Sequence, residues 1–366
     1  MATAIPIKVN TASGVPLKQF ETTDTIPATS LPARLAISPS QITSDQDDYS
    51  PTGWDTAELV RLDFDTNGRA ITGFAAWTNG RTKTLLNVSG NYGYIPAEHP
   101  DSTAANRVIA TTDIIIPPYS AAVIEYDSTS SRVRIVSNSF NPAALGYGNL
   151  KGHYYQVGPG SVTAADWGEF GFNVTGTGAT LTTTAGISTA PGGWSQSTGT
   201  TATGSVSAYF AKGVTNPAFF GSSHIIAAFV VRIPTASDGT NTFTFSCGIV
   251  PTPSSATLDV NSSVVIKYSH GLNSGNFLAV SRDSGGSEST ADTGIAPSTT
   301  VANLFVVCID KARSEARYYI DGVMVARITG NMPSAVAVGC RSLIVKSVGT
   351  TARTAVLSNM NLITVY

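Results

Sequence analysis

The sequence predicts an all-β protein, arranged as an extended N-terminal arm, a small β-sandwich and a larger second sandwich. Three observations predict it. The run from Leu304 to Arg327 spells out three successive antiparallel strands with both turns. Turn signals recur about every 8–12 residues through the chain. No heptad run or sustained helical period appears anywhere, which excludes a long coiled-coil shaft. In the organising run, Leu304–Asp310 is apolar and β-branched, Lys311–Glu315 reads as a charged turn, and Asp321-Gly322 closes a tight hairpin between Ala316–Ile320 and Val323–Arg327. Asp-Gly suits that turn because both central residues need φ > 0.

Composition narrows the function classes. Charged residues make up 13% of the 366 residues and the formal net charge is -2. No broad basic face for nucleic acid or an anionic membrane follows from that balance. No apolar run of about 18 residues is present to span a bilayer. Met1–Ala12 lacks the charged start and apolar centre of a secretory leader. Cys247, Cys308 and Cys340 sit in apolar strand-like runs without CxxC or Cys/His spacing, so they read as buried free thiols. Synthesis in a bacterial cytoplasm with a hydroxyl-rich, low-charge surface fits a particle protein released by lysis.

Residues 1–40 are proline-rich and hold no period, which predicts an extended strap. Ile5, Ile7, Val9, Val15, Leu17, Phe20 and Ile26 are spaced apolar anchors that a solvated tail would not need. Residues 41–137 read as the small sandwich. There Ala57–Asp65 and Arg69–Trp77 are expected to pair as a hairpin across Asn67-Gly68. Thr82–Val88, Arg107–Ile116, Ser120–Tyr126 and Arg132–Val136 follow as strands. Residues 138–150 are polar and aperiodic, the expected linker. Residues 151–366 supply the second sandwich, with Thr175–Thr203 so rich in Thr and Gly that it reads as a loop or weak strands.

Candidate chemistry is sparse. His99, His153, His224 and His270 lie far apart, with no HExxH or similar pairing. The C-terminal region has no ExDxE strand to present two acids on one face. The chain is therefore expected not to be an enzyme, and to carry neither metal nor cofactor. Asp283, Glu288 and Asp292 could offer oxygen ligands to Ca²⁺, although acids separated by Ser and Gly also make a solvated turn. For a sugar, an aromatic platform and a few polar groups suffice. Trp167, Trp194, Tyr268 and His270 are the candidates, with Tyr154 and Tyr155 beside them, and Trp194 in PGGWSQ reads as a loop residue. The competing reading of each aromatic is core packing.

Two resemblances follow from quoted residues. The strand and hairpin around Tyr318-Tyr319-Ile320-Asp321-Gly322 resemble the back sheet of concanavalin-like, or laminin-G-like, jelly rolls, which implies that fold for 151–366. The patterns DDYSPTGW, ITGF, LLNVSG, Asn106-Arg107 and SAAVIEYD resemble a small sandwich module of tailed-bacteriophage appendage proteins. Val133 stands where that family often has Trp. The resemblance implies a structural protein on the exterior of a virion, a head fibre, capsid decoration or tail appendage, joined through its arm to capsid or tail proteins. It implies a homotrimer as well. A tail receptor-binding lectin for host surface polysaccharide is the rival that the jelly roll implies, with a polysaccharide depolymerase ranked behind it.

Overall fold

The computed structural model describes residues 35–78, 80–139, 152–157, 170–188, 192–210 and 218–366. The apolar anchors of the arm, from Ile5 to Ile26, and Trp167 lie outside them. The described chain is almost wholly β.

Nine strands come first. They are β1 (Ala36–Ile37), β2 (Leu59–Leu62), β3 (Arg69–Ala70), β4 (Thr82–Asn87), β5 (Gly93–Ile95), β6 (Val108–Ile109), β7 (Ile114–Ile116), β8 (Ala121–Asp127) and β9 (Arg132–Asn138). They form a six-stranded sheet in the order β1-β2-β4-β8-β9-β6 and a three-stranded sheet in the order β3-β5-β7. Asn67-Gly68 does not close the expected hairpin. Gly68 takes φ +85° and its N–H binds Tyr92 O, while Asn67 Oδ1 accepts the Tyr92 N–H. The turn thus hands the chain to the second sheet, where β3 runs parallel to β5, and β2 pairs in parallel with β1 and β4 instead. The β8–β9 hairpin forms as expected, its turn capped by Asp127 accepting the N–H of Thr129. Val133 fills a core position at 0% exposure.

The remaining strands form two antiparallel sheets. Their ranges are β10 (Gly152–Val157), β11 (Phe170–Thr175), β12 (Thr180–Thr184), β13 (Gly193–Ser197), β14 (Ser205–Phe210), β15 (Ala218–Phe219), β16 (His224–Arg232) and β17 (Phe243–Val250). After them come β18 (Ser263–Ser269), β19 (Leu278–Arg282), β20 (Glu288–Asp292), β21 (Asn303–Ile309), β22 (Ala316–Ile320), β23 (Val323–Ile328), β24 (Ala337–Lys346) and β25 (Thr354–Val365). The back sheet runs β12-β13-β25-β16-β21-β22-β23, with β10 also on β25. The front sheet runs β11-β14-β24-β17-β18-β19-β20, with β15 also on β24. The Leu304–Arg327 meander appears as β21-β22-β23, and Asp321 and Gly322 take φ +51° and +82°, as the hairpin demands.

One core lies between the back and front sheets, from Phe229, Phe305 and Tyr318 on one side to Phe245, Ile266 and Ile344 on the other. Another lies between the six- and three-stranded sheets and is centred on Trp54 stacked on Phe74 at 5.5 Å. A further cluster joins the two halves: Ala70, Tyr92, Tyr94 and Ile115 meet Ile226, Val306, Cys308 and Tyr319 of the back sheet. The back-sheet strands are apolar on both faces, so both faces need covering. Each Ile or Val buried there contributes about 1.5–3 kcal/mol relative to exposure. The molecule is consequently a stack of four β layers, six-stranded, three-stranded, back and front.

Candidate binding face and interlayer ion network

Two places concentrate polar chemistry. The first lies between the three-stranded sheet and the back sheet. Strand alternation puts Arg317 and Tyr319 on the outer face of β22, opposite the core-facing Ala316, Tyr318 and Ile320. Arg317, at 0% exposure, donates to Asp113 through Nε and Nη2 and to Glu315 through Nη1. His224 Nε2 lies 2.9 Å from Asp113 Oδ2, and Tyr319 donates to Asp113 Oδ1 at 3.1 Å. Glu315 also meets His99 Nε2 at 3.0 Å and Arg327, which in turn holds Asp101 at 3.0 and 3.1 Å. The Tyr94 ring faces Arg317 at 5.3 Å and His224 at 4.6 Å. Burial alone would push the Asp113 carboxyl up; Arg317 and the bond to His224 outweigh it and hold it well below the usual range. The same contest, with His99 and Arg317 as the partners, holds Glu315 well below its usual range. Lys311–Glu315 forms the expected charged turn, and its last residue Glu315, like Asp310 before it, is only 6% exposed.

The second place is the outer face of the front sheet. Register puts Tyr209 opposite Arg341, Arg341 opposite Gly248, and Ser246 opposite Lys267, all pointing away from the core. Tyr209 is half-buried and lies across β11, where a Cβ on Gly171 would come within 2.8 Å of its ring. The segment 251–262 crosses this face as a strap. Arg341 is wholly buried beneath it and donates to the carbonyls of Ser255 at 2.7 Å, Thr257 at 2.6 Å and Leu258 at 3.2 Å. Ser207 donates to Pro253 O and Asn173 to Ser254 O. At its far end, Asp259 sits 2.8 Å from Lys267 Nζ and 3.4 Å from Arg282 Nη2. Among the described residues Arg341 Nε and Ser246 Oγ have no hydrogen-bond partner, and burial pushes the Arg341 guanidinium down to about 10.

The aromatics singled out in the sequence are distributed differently. Trp194 stands in β13, not in a loop, and is 1% exposed in the core, because the Thr/Gly-rich stretch forms β12 and β13 and turns its ring inward. Tyr268 is 3% exposed, packed edge-on against Phe243 and Phe277, with its hydroxyl accepting the Ser237 N–H. His270 is on the surface, its Nδ1 3.2 Å from Ser237 O. Tyr154 and Tyr155 fall in β10. Trp194, Tyr268 and His270 do not converge on one surface. Tyr209 was not singled out, and its signal was the alternation SVSAYF, which puts a large aromatic on the hydroxyl-bearing face of β14. Nor do the three acids of the 283–292 loop converge on a common point. Asp283 caps its own turn through the Ser287 N–H, Glu288 pairs with Arg282, and Asp292 accepts from Asn273, Asn276 and the Gly294 N–H.

No protein-family model matches the chain, and no curated protein is similar to it in sequence. Solved structures are similar over part of the chain. Peanut lectin with a nonamer peptide has a TM-score of 0.40 at 11% identity, covering 58% of this chain and 97% of that one. The endo-β-1,4-glucuronan lyase of the fungus Trichoderma reesei has a TM-score of 0.40 at 10% identity, covering 57% and 94%. The Bacillus licheniformis β-glucanase has 0.35 at 9%, covering 58% and 97%. The expectation of a chain without enzymatic activity is corrected by these findings, since two of the three similar structures are enzymes by name. Missing ExDxE spacing excludes one arrangement of acids, not catalysis on this fold.

Proposed function

We propose that this chain is a structural display protein of a tailed-phage particle, attached through its N-terminal segment and presenting the jelly roll outward. The observation that carries this reading is the polarity of the four-layer stack. The described chain begins at Leu35, beside β1 in the six-stranded layer, and the polar front-sheet face is the outermost layer at the other end. Packed sheets lie about 10 Å apart, so three layer spacings separate the two by roughly 30 Å. The buried ion network and apolar cluster between the middle layers make that separation a rigid one. Two experiments test the reading. Antibody to residues 151–366 should gold-label intact particles, over the head for a capsid fibre or at the tail for an appendage. A chain starting at Leu35, which keeps β1 in the sheet, should fold and fail to enter particles; normal incorporation would defeat the attachment role.

A second reading, recognition of a surface saccharide by the front sheet, is favoured by one observation. Tyr209 packs over Gly171 directly opposite Arg341, with Ser205 and Ser207 on the same strand face. An aromatic plane beside hydroxyls and a guanidinium suits the apolar face and polar rim of a sugar ring. Tyr209→Ala should abolish binding in a glycan array while leaving the melting curve close to the parent; unchanged array signals would remove this reading.

A further inference from the structure

The strap contributes to the front face the chemistry of a ligand. Residues 251–262 read PTPSSATLDVNS, and Asp259 is their one charged residue. That carboxylate is about half exposed, at 51%, accepts from Lys267 and lies 3.4 Å from Arg282, which Glu288 also holds; the two cationic side chains are 16% and 15% exposed. Before Asp259 the strap's anchors are backbone carbonyls, three of them on Arg341, and after it Asn261 donates to Ser284 O and Ser262 to Asp283 O. A carboxylate and a row of carbonyl oxygens are thereby laid along three cationic side chains. Arg341 and Lys267 flank β17 from its two neighbouring strands, so about 10 Å of sheet separates them. Ser246 stands between, and on the same face Val250, Val265 and Val280 form a small buried apolar cluster. The strap satisfies this surface incompletely. Arg341 is a buried cation with no carboxylate on it, its Nε lacks a partner, and so does Ser246 Oγ. A buried charge held only by neutral carbonyls is a costly arrangement that an anion would relieve.

We propose that the front face is a site for a carboxylate-bearing sugar chain, and that the strap is a built-in competitor whose Asp259 occupies the place of one ligand carboxylate on Lys267 and Arg282. The proposal rests on the second reading above, that this face binds saccharide, and adds the ligand's charge and the means of its exclusion. An incoming uronate takes the charge-assisted bond from Lys267 and the ion contact with Arg282, and the strap around Asp259 moves aside between its anchors. No covalent step is involved.

The test uses the full chain with two polymers differing only in charge, polygalacturonate and its fully methyl-esterified form, titrated calorimetrically at low salt. Polygalacturonate is expected to bind and the ester not. Asp259→Asn is expected to tighten polygalacturonate binding by about fivefold, the scale of removing an exposed ion-pair competitor. Lys267→Gln with Arg282→Gln is expected to weaken it by at least about tenfold. Both sites are partly exposed, so these variants should keep the parent's melting temperature within a few degrees, which is checked by circular dichroism. Binding by Asp259→Asn alone, with the parent silent, would equally support a competing strap. Equal binding of acid and ester would overturn the proposal while leaving saccharide recognition standing. Silence of parent and Asp259→Asn toward both polymers would overturn it too. The Tyr209→Ala array then decides the parent reading separately.

Discussion

Replacing Arg317 by Met removes the centre of the interlayer ion network while roughly keeping its volume. The guanidinium holds Asp113 through two nitrogens and Glu315 through the third, at 0% exposure. Without it Asp113 keeps His224 and Tyr319, and Glu315 keeps His99 and Arg327. Both carboxylates then stay buried with less compensation than before. Breaking a buried pair from one side costs about 3–5 kcal/mol. With a urea m-value near 3 kcal/mol/M for a chain of this size, the midpoint should fall by about 1–1.7 M. The assay is equilibrium unfolding followed by tryptophan fluorescence, with Trp54 and Trp77 reporting the N-terminal layers and Trp194 the jelly roll. Arg134→Met is the control, because its pair with Asp127 is half exposed and such pairs contribute about 0–1 kcal/mol. A third chain carrying Arg317→Met, Asp113→Asn and Glu315→Gln should recover a large part of the loss, since no uncompensated carboxylate remains. Equal loss in Arg317→Met and Arg134→Met would refute the reasoning, as would a triple substitution no more stable than the single one.

Acid should spare this interface until late. The folded-state pKa values of Asp113 and Glu315 are depressed, so their stabilisation is fully present above the ordinary carboxylate range and is lost as pH falls through the folded values. Urea midpoints should therefore show no loss from these two groups between pH 7 and about pH 5, and an eroding contribution below about pH 4. Cys247, Cys308 and Cys340 are buried with thiols pushed up by burial, so a colourimetric thiol reagent should label none of them in the native protein and all three in guanidinium. Lys83 donates to the carbonyls of Trp54 and Ala57 and lies 4.6 Å from the Trp54 ring. Lys83→Met should cost about 1–3 kcal/mol by leaving those carbonyls unpaired, measured by urea melts. Gly93→Ala should cost more than a typical surface change, because its Cβ would lie 2.2 Å from the Phe64 ring; a variant as stable as the parent would contradict that packing.

What the sequence disclosed was local. Asp321-Gly322 and the β8–β9 turn were legible because a few adjacent residues determine a turn's backbone. Asn67-Gly68 is the same kind of signal, yet its partner is Tyr92, 25 residues away, so the chain's next sheet was hidden. The pairing of β25 with β10, β13 and β16 is likewise non-local and left no trace in any short window. The ion network was hidden for a related reason. Asp113, His224 and Arg317 are far apart in sequence, and each alone looks like a solvated residue. The available clue was the strands around them: NLFVVCI, ARYYI and HIIAAFVVR are apolar on both faces, and a charge on such a strand needs a partner from another layer. Trp194 and Tyr268 illustrate the opposite error, aromatics sought at the surface that supply core volume.

The six-stranded sheet ends at both edges in strands of two residues, β1 and β6. A free edge recruits strands from neighbouring molecules in proportion to the length of unpaired backbone it offers. Here each edge strand contributes at most two residues of such backbone, too little to seat an incoming strand. Strand exchange through β1 or β6 is therefore disfavoured by geometry, where a net charge of -2 gives little electrostatic repulsion between copies.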